Sequence, residues 1–193
     1  MPRISPTDPA YVPSFSFLKG AFGPGRTPAK ELYKRSQPRT QTAPQFLGTV
    51  VEDFICLPDF WSKYVYIDFD QKPEPDRTMA TKANKAWFAE QQDFAAEKGL
   101  TPLLSDVYQT AFGISERLKA DNCPFLTQQW QYQVETAGEI EGMKFRGFMD
   151  AFNLFTVCDI KTCTDAGAGF KKQMRQNHVN VQLAVYMEAS GAG

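Results

Sequence analysis

Proline is what most limits this chain: eight of its 13 prolines fall within the first 44 residues. Each removes a backbone donor and fixes φ at about −65°, so neither a long helix nor a central strand can be built there. Residues 1–43 therefore read as a Pro-rich arm, loop with one short helix, and 44–193 as the folded domain. Phe15, Phe17, Leu18 and Phe22 would anchor the arm on that domain. Core material is ample, with 42% hydrophobic and 13% aromatic residues, which excludes a wholly disordered chain. The longest apolar runs, such as 54–57, are far short of the ~20 residues of a membrane span. The first six residues lack the apolar stretch of a secretory signal. Cys56, Cys123, Cys158 and Cys163 make no CxxC pair, so free thiols and a cytoplasmic location are expected.

Beyond the arm, apolar residues at 46, 47, 50, 51, 54 and 55 recur at helical spacing until Pro58 stops them. Glu52 falls in the middle of that apolar helix, where an unpaired carboxylate is costly. Residues 66–77 are acidic and Pro-bearing, a loop. A helix is predicted over 78–98 with Gly99 as its C-cap, and another from Ser105 to about 120. Alternation then predicts strands at 130–135, 143–148 and 155–162, with Gly138 and Gly142 bracketing a turn. A last helix is expected over 170–188. The layout is an α/β (α+β) domain: a helical N-terminal part, then an antiparallel hairpin and third strand flanked by helices.

Net charge is only −1, but it is unevenly spread. Residues 1–50 hold seven Lys/Arg against Asp8 and Glu31, whereas 51–76 hold seven acids against Lys63 and Lys72. From 161 to 180 the balance is again basic, Lys161, Lys171, Lys172 and Arg175 against Asp165. Basic stretches around acidic positions suit a metal-dependent site receiving a polyanion, although solvated faces show the same pattern.

Two acids point to chemistry. Asp150 closes the run 145–149 where the second strand should end, and Asp159-Ile160-Lys161 lies in an apolar strand. Strand side chains alternate, so Asp159 and Lys161 share a face. Carboxylates so placed suit Mg²⁺, a hard cation that prefers oxygen, and a lysine beside them can orient water or stabilise developing charge. Asp-x-Lys alone is also the pattern of a strand-edge salt bridge. In the last helix Lys171, Arg175, His178, Gln182 and Tyr186 fall on one face, with Phe170, Met174, Val181 and Val185 as the core stripe.

The segments Gly147-Phe148-Met149-Asp150, Asp159-Ile160-Lys161-Thr162 and Gln182-x-x-x-Tyr186 resemble the active-site motifs of the PD-(D/E)xK nuclease superfamily. Within it the chain is most similar to RecE-like and phage lambda-type exonucleases. Gly48 to Glu52, Leu57-Pro58-Asp59-Phe60-x-x-x-Tyr64 and the helical stretch 78–105 resemble the same group, so the likeness covers roughly 40–188. It implies a restriction-endonuclease-like core with a central mixed sheet. It also implies that Asp150, Asp159 and the Ile160 carbonyl bind metal, that Lys161 is catalytic, and that Gln182 and Tyr186 support the site and contact DNA. Glu52 stands where relatives often carry His, as a further ligand.

Lys171, Lys172, Arg175, His178, Thr162 and Thr164 are candidate phosphate contacts, and an exposed helix histidine is the plainer account of His178. Trp61, Trp87 and Trp130 offer stacking surfaces for DNA, with core packing the better account of at least two. The implied cofactor is Mg²⁺, with Mn²⁺ as substitute. An iron–sulphur cluster is not expected, because the three clustered cysteines of such relatives are missing. The implied activity is 5′–3′ digestion of double-stranded DNA ends, by a ring-shaped homo-oligomer with a single-strand annealing partner and no membrane. The setting would be the cytoplasm of a bacterial or phage-infected cell. A catalytically silent DNA-binding or scaffold module and a structure-specific endonuclease are the alternatives. Relatives continue with a strand beyond the Gln-Tyr helix, so 44–193 reads as a C-terminally shortened version.

Overall fold

The computed structural model describes residues 12–22, 27–37, 41–75, 77–123, 129–140, 142–153, 156–163 and 167–190. The chain groups into two compact units, Ala43–Thr127 and, together, Met1–Thr42 with Gln128–Gly193.

The N-terminal stretch carries two helices rather than one, α1 (Phe15–Phe22) and α2 (Pro28–Ser36). Here proline starts a helix instead of preventing one. Pro28 sits in the first turn, where a missing N–H has no partner to lose, and Thr27 Oγ1 accepts from Lys30 N at 3.2 Å. The helices meet at Gly20, where a Cβ would lie 2.3 Å from the Glu31 carboxyl carbon. Glu31 is buried and pairs with Arg35 at 2.7 Å. The Arg35 guanidinium in turn lies 5.3 Å from the Phe17 ring centre. Of the four expected anchors, Phe17 and Leu18 are half-buried, while the side chains of Phe15 and Phe22 are outside the described set.

In the 43–127 unit the apolar period gives α3 (Ala43–Cys56). Its Val50 and Val51 form a core with Phe60, Tyr64, Leu103 and Ala111. Next come a 3₁₀ turn (Phe60–Ser62), α4 (Lys82–Glu97) and α5 (Ser105–Ala120), with Leu104 rather than Ser105 in the cap position. Gly99 closes α4 at φ +66°, a conformation that disfavours a side chain. Two strands were not legible: β1 (Tyr64–Ile67) and β2 (Thr101–Leu104), parallel, Tyr64 opposite Thr101 and Ile67 opposite Leu104. The stretch 66–77 thus begins as strand rather than loop, and Pro102 is tolerated because a two-stranded sheet leaves one edge unpaired. The fully buried Asn84 ties the acidic loop to α4 through the Glu74 backbone N and O, both at 3.0 Å, and Thr78 O at 3.0 Å.

The other unit is built on β3 (Gln131–Ile140), β4 (Met143–Asn153) and β5 (Thr156–Cys158), an antiparallel sheet in the order β3-β4-β5. The hairpin closes with Ile140 opposite Met143, so Gly138 lies inside β3 rather than at the turn. Its glycine is needed for packing: a Cβ would meet the Phe145 ring at 3.0 Å and Ala189 Cβ at 3.1 Å. The strand carrying Asp150 does not stop there but runs on to Asn153. The last helix is two, α6 (Ala168–Gln176) and α7 (Val179–Ser190), broken at His178 with φ +50°. Tyr186 from α7 joins Met149 and Val157 in the core.

The result is the expected mixed α/β class with a helical N-terminal part, although parallel and antiparallel pairings occupy separate sheets. Among the described residues no helix is long and apolar enough to cross a membrane.

Candidate active site

Along β4, Phe145, Gly147, Met149 and Ala151 point to the buried face, as the two-residue period requires. Asp150 is the exception on the opposite face, only 8% exposed. Its Oδ2 accepts the Ile160 backbone N–H at 2.6 Å. That contact explains why β5 is short. Ala151 still pairs with Cys158, but the next main-chain donor goes to a carboxylate instead of the ladder. Asp159 and Lys161, expected on a strand face, therefore lie on the segment just past β5.

Their side chains still converge. Lys161 Nζ is 2.6 Å from Asp159 Oδ2 and 3.9 Å from Asp150 Oδ2, and donates to the Ile160 carbonyl at 3.2 Å. The Asp159 side chain is 3% exposed and that of Lys161 43%. Gln182 Nε2, from α7, donates to Asp159 Oδ1 at 3.3 Å. Asp159 Oδ2 receives no hydrogen bond among the described residues. The ammonium is close enough for an ion pair but out of hydrogen-bond alignment. A buried carboxylate oxygen without an aligned donor is costly, on the order of 1–3 kcal/mol or more.

Gln182 Nε2 also reaches the Tyr186 hydroxyl at 3.4 Å. Tyr186 is buried over Gly147, where a Cβ would lie 2.4 Å from the ring. Only glycine fits beneath it. Burial, then the charge of Asp159, pushes the Tyr186 hydroxyl up from its ordinary value, so it stays neutral and able to donate.

The single polar helix face does not form. Arg175 O accepts from His178 N at 3.2 Å, His178 turns left-handed, and the chain restarts as α7. Lys171 and Arg175 thus belong to one helix and Gln182 and Tyr186 to another, with His178 at the break. Lys171, Lys172, Arg175 and His178 are all exposed, as is Thr162, while Thr164 lies outside the described residues. The core stripe shifts too: Val181 is 45% exposed, and Val179, at 4%, is the buried valine.

Glu52 is half-buried on α3 in the 43–127 unit. The truly buried acid of that helix is its neighbour Asp53, 6% exposed, which the sequence reading passed over. A signal was there: Val50, Asp53, Phe54 and Leu57 follow the i, i+3, i+4, i+7 stripe. Lys63 Nζ and the Tyr64 hydroxyl both donate to Asp53 Oδ2. Burial and then that bond hold the Tyr64 hydroxyl far above its usual range. Trp61 is 49% exposed, whereas Trp87 and Trp130 are half-buried.

Among the described residues no three His, Cys, Asp or Glu side chains gather as a metal cluster. What converges is two carboxylates and one main-chain carbonyl, all oxygen, with the buried Asp159 Oδ2 lacking a hydrogen bond. That donor set fits a hard divalent cation.

No curated protein and no solved structure matches the chain. A sequence model does match: that of DUF3799, a PDDEXK-like domain of unknown function, over residues 62–192. The matched stretch contains Asp150, Asp159, Lys161, Gln182 and Tyr186 and leaves Glu52 outside. PD-(D/E)xK nucleases use divalent metals and act on DNA, so the match accords with the nuclease-type motifs around Asp150 and Asp159. With two thirds of its length matched, and its carboxylates and lysine inside that stretch, the chain belongs to the PDDEXK-like family DUF3799.

Proposed function

We propose that this chain is a metal-dependent deoxyribonuclease that hydrolyses phosphodiester bonds at double-stranded DNA ends. One observation carries the reading: the buried, non-hydrogen-bonded Asp159 Oδ2 beside the Lys161 ammonium, with Asp150 facing the same ammonium. Asp150, Asp159 and the Ile160 carbonyl would hold Mg²⁺, or Mn²⁺ in its place; a role for Glu52 as ligand rests on the motif resemblance alone. A bound divalent ion supplies Lewis-acid charge for the phosphate and for water.

The chain's own groups do the rest. Lys161 places its ammonium where negative charge would build on the phosphate. Gln182 orients the Asp159 carboxylate through Oδ1, and Tyr186, held neutral, is a donor rather than a base. Lys171, Lys172, Arg175 and His178, with Thr162 and Thr164, are the proposed phosphate contacts that set the position of the strand. The 5′–3′ direction, the ring-shaped oligomer, the annealing partner and the bacterial or phage-infected setting rest on the motif resemblance.

The test compares linear with covalently closed duplex DNA, in Mg²⁺ and in excess chelator. Linear DNA should be consumed only with metal, and circles should be spared. Nicked circles would make it an endonuclease. DNA bound but intact in Mg²⁺ and Mn²⁺ would make it a silent module.

A further inference from the structure

The 43–127 unit carries a surface that the nuclease reading does not use. Trp61, Tyr66 and Phe112 are 49%, 37% and 41% exposed, and all three contact one further ring, that of Tyr108. The centroid distances to Tyr108 are 5.6 Å, 5.3 Å and 5.9 Å. Single exposed aromatics are ordinary, but three exposed rings gathered on a fourth make a larger apolar face. It is firmly backed. Phe54 of α3 packs 5.7 Å from Tyr108 and 6.4 Å from Phe112, and Phe60 lies 5.1 Å from Trp61.

The Tyr66 edge of this face is acidic. Asp68 and Asp70 both act on the Tyr66 hydroxyl, which Gln109 hydrogen-bonds. The cation nearest in sequence, Lys63, is engaged by the buried Asp53. The whole unit holds 13 Asp/Glu against eight Lys/Arg, while the unit with the Asp-Asp-Lys site holds nine against 13. A phosphate backbone is repelled by such a surface. An arginine is attracted twice, since its guanidinium stacks on aromatic faces and pairs with carboxylates.

We propose that the Trp61–Tyr66–Tyr108–Phe112 face docks a basic, extended segment of a partner protein, its arginines laid over the rings and paired with Asp68 and Asp70. The occupant is identified by charge complementarity: apolar enough to cover the rings, cationic enough to answer Asp68, Asp70 and the acidic excess of the unit.

Fluorescence anisotropy on the full chain tests this with three labelled probes. These are a peptide of alternating Arg, Pro and Leu, the same peptide with Glu for Arg, and a single-stranded oligonucleotide of similar length. The Arg peptide should bind, the Glu peptide should not, and salt should weaken the complex. Trp61→Ala and Asp70→Lys should each lower affinity about tenfold, the size of a moderate interface hot spot. Both positions are exposed, and thermal melting checks that the variants fold. Cleavage of linear DNA by Asp70→Lys should match the parent, and the peptide arms do not depend on cleavage, so a failed nuclease reading leaves this test intact. Three results would overturn the proposal. One is equal binding of the two peptides or of neither; another is oligonucleotide binding lost with Trp61→Ala. The third is self-association abolished by Trp61→Ala, which would mean that a second copy covers the face.

Discussion

Asp53 in the 43–127 unit and Asp159 beside the antiparallel sheet are both buried, and each faces a lysine whose side chain is 43% exposed. They differ in how they are finished. Asp53 Oδ2 takes two donors, Lys63 and Tyr64, whereas Asp159 Oδ2 takes none among the described residues. A saturated buried carboxylate has spent its lone pairs on holding the fold together. An unsaturated one keeps them for something the protein must still meet. On the proposed reading, the same residue types serve architecture in one unit and chemistry in the other.

The largest effect should come from the open pair. Lys161→Ala should lower single-turnover cleavage about 10²-fold or more, the scale of one preorganised electrostatic group. Calorimetry should show divalent-ion binding preserved, since both carboxylates remain. Near-normal turnover would reduce Asp159–Lys161 to a salt bridge and erase the contrast.

Stability should show the reverse order. Asp53→Ala leaves the buried Tyr64 hydroxyl without its acceptor and should cost about 2 kcal/mol in urea unfolding. Asp159→Ala, which gives up one long 3.3 Å hydrogen bond from Gln182 and an ion pair to a half-exposed lysine, should cost clearly less. Equal losses would break the distinction. The closed pair also has a pH signature. The Tyr64 hydroxyl is held above its ordinary value by burial and by Asp53, so the folded state keeps its proton longer than the unfolded chain does. Its contribution is complete below about pH 10 and is lost as pH rises beyond it. Tyr64→Phe should flatten that alkaline decline.

The smallest effect concerns the floor of the open site. Gly147→Ala drives a methyl into the Tyr186 ring and should cost about 1–2 kcal/mol. The loss should be strongly non-additive with Tyr186→Leu in a double-mutant cycle. Additive losses would mean that the ring does not rest on Gly147.

Much of this was legible in the sequence, for identifiable reasons. The long amphipathic helices α3, α4 and α5 announced themselves by period and caps, and the hairpin by alternation. The association of Asp150, Asp159 and Lys161 was readable because charges in an apolar strand need partners. Tyr64–Ile67 was hidden because four residues of parallel strand have no local signal, their partner lying at Thr101–Leu104 beyond an entire helix. The break in the last helix was hidden because Asn177 and His178 are neither Gly nor Pro, yet His178 sits at φ +50°. Asp53 was overlooked for Glu52 because both lie on one helical turn. Which of them faces Lys63 and Tyr64 depends on packing between elements.

That break at His178 separates two jobs along the chain. Helix α6 buries no residue and carries Lys171, Lys172 and Arg175, whereas α7 is pinned by Val179 and Tyr186. Substituting, lengthening or rotating α6 changes how far its cations reach without moving Gln182 away from Asp159. If those cations grip DNA as proposed, mutation can change that grip while the carboxylates stay as they are. Across the family, divergence should run fast along 168–176 and slowly along the inward face of α7.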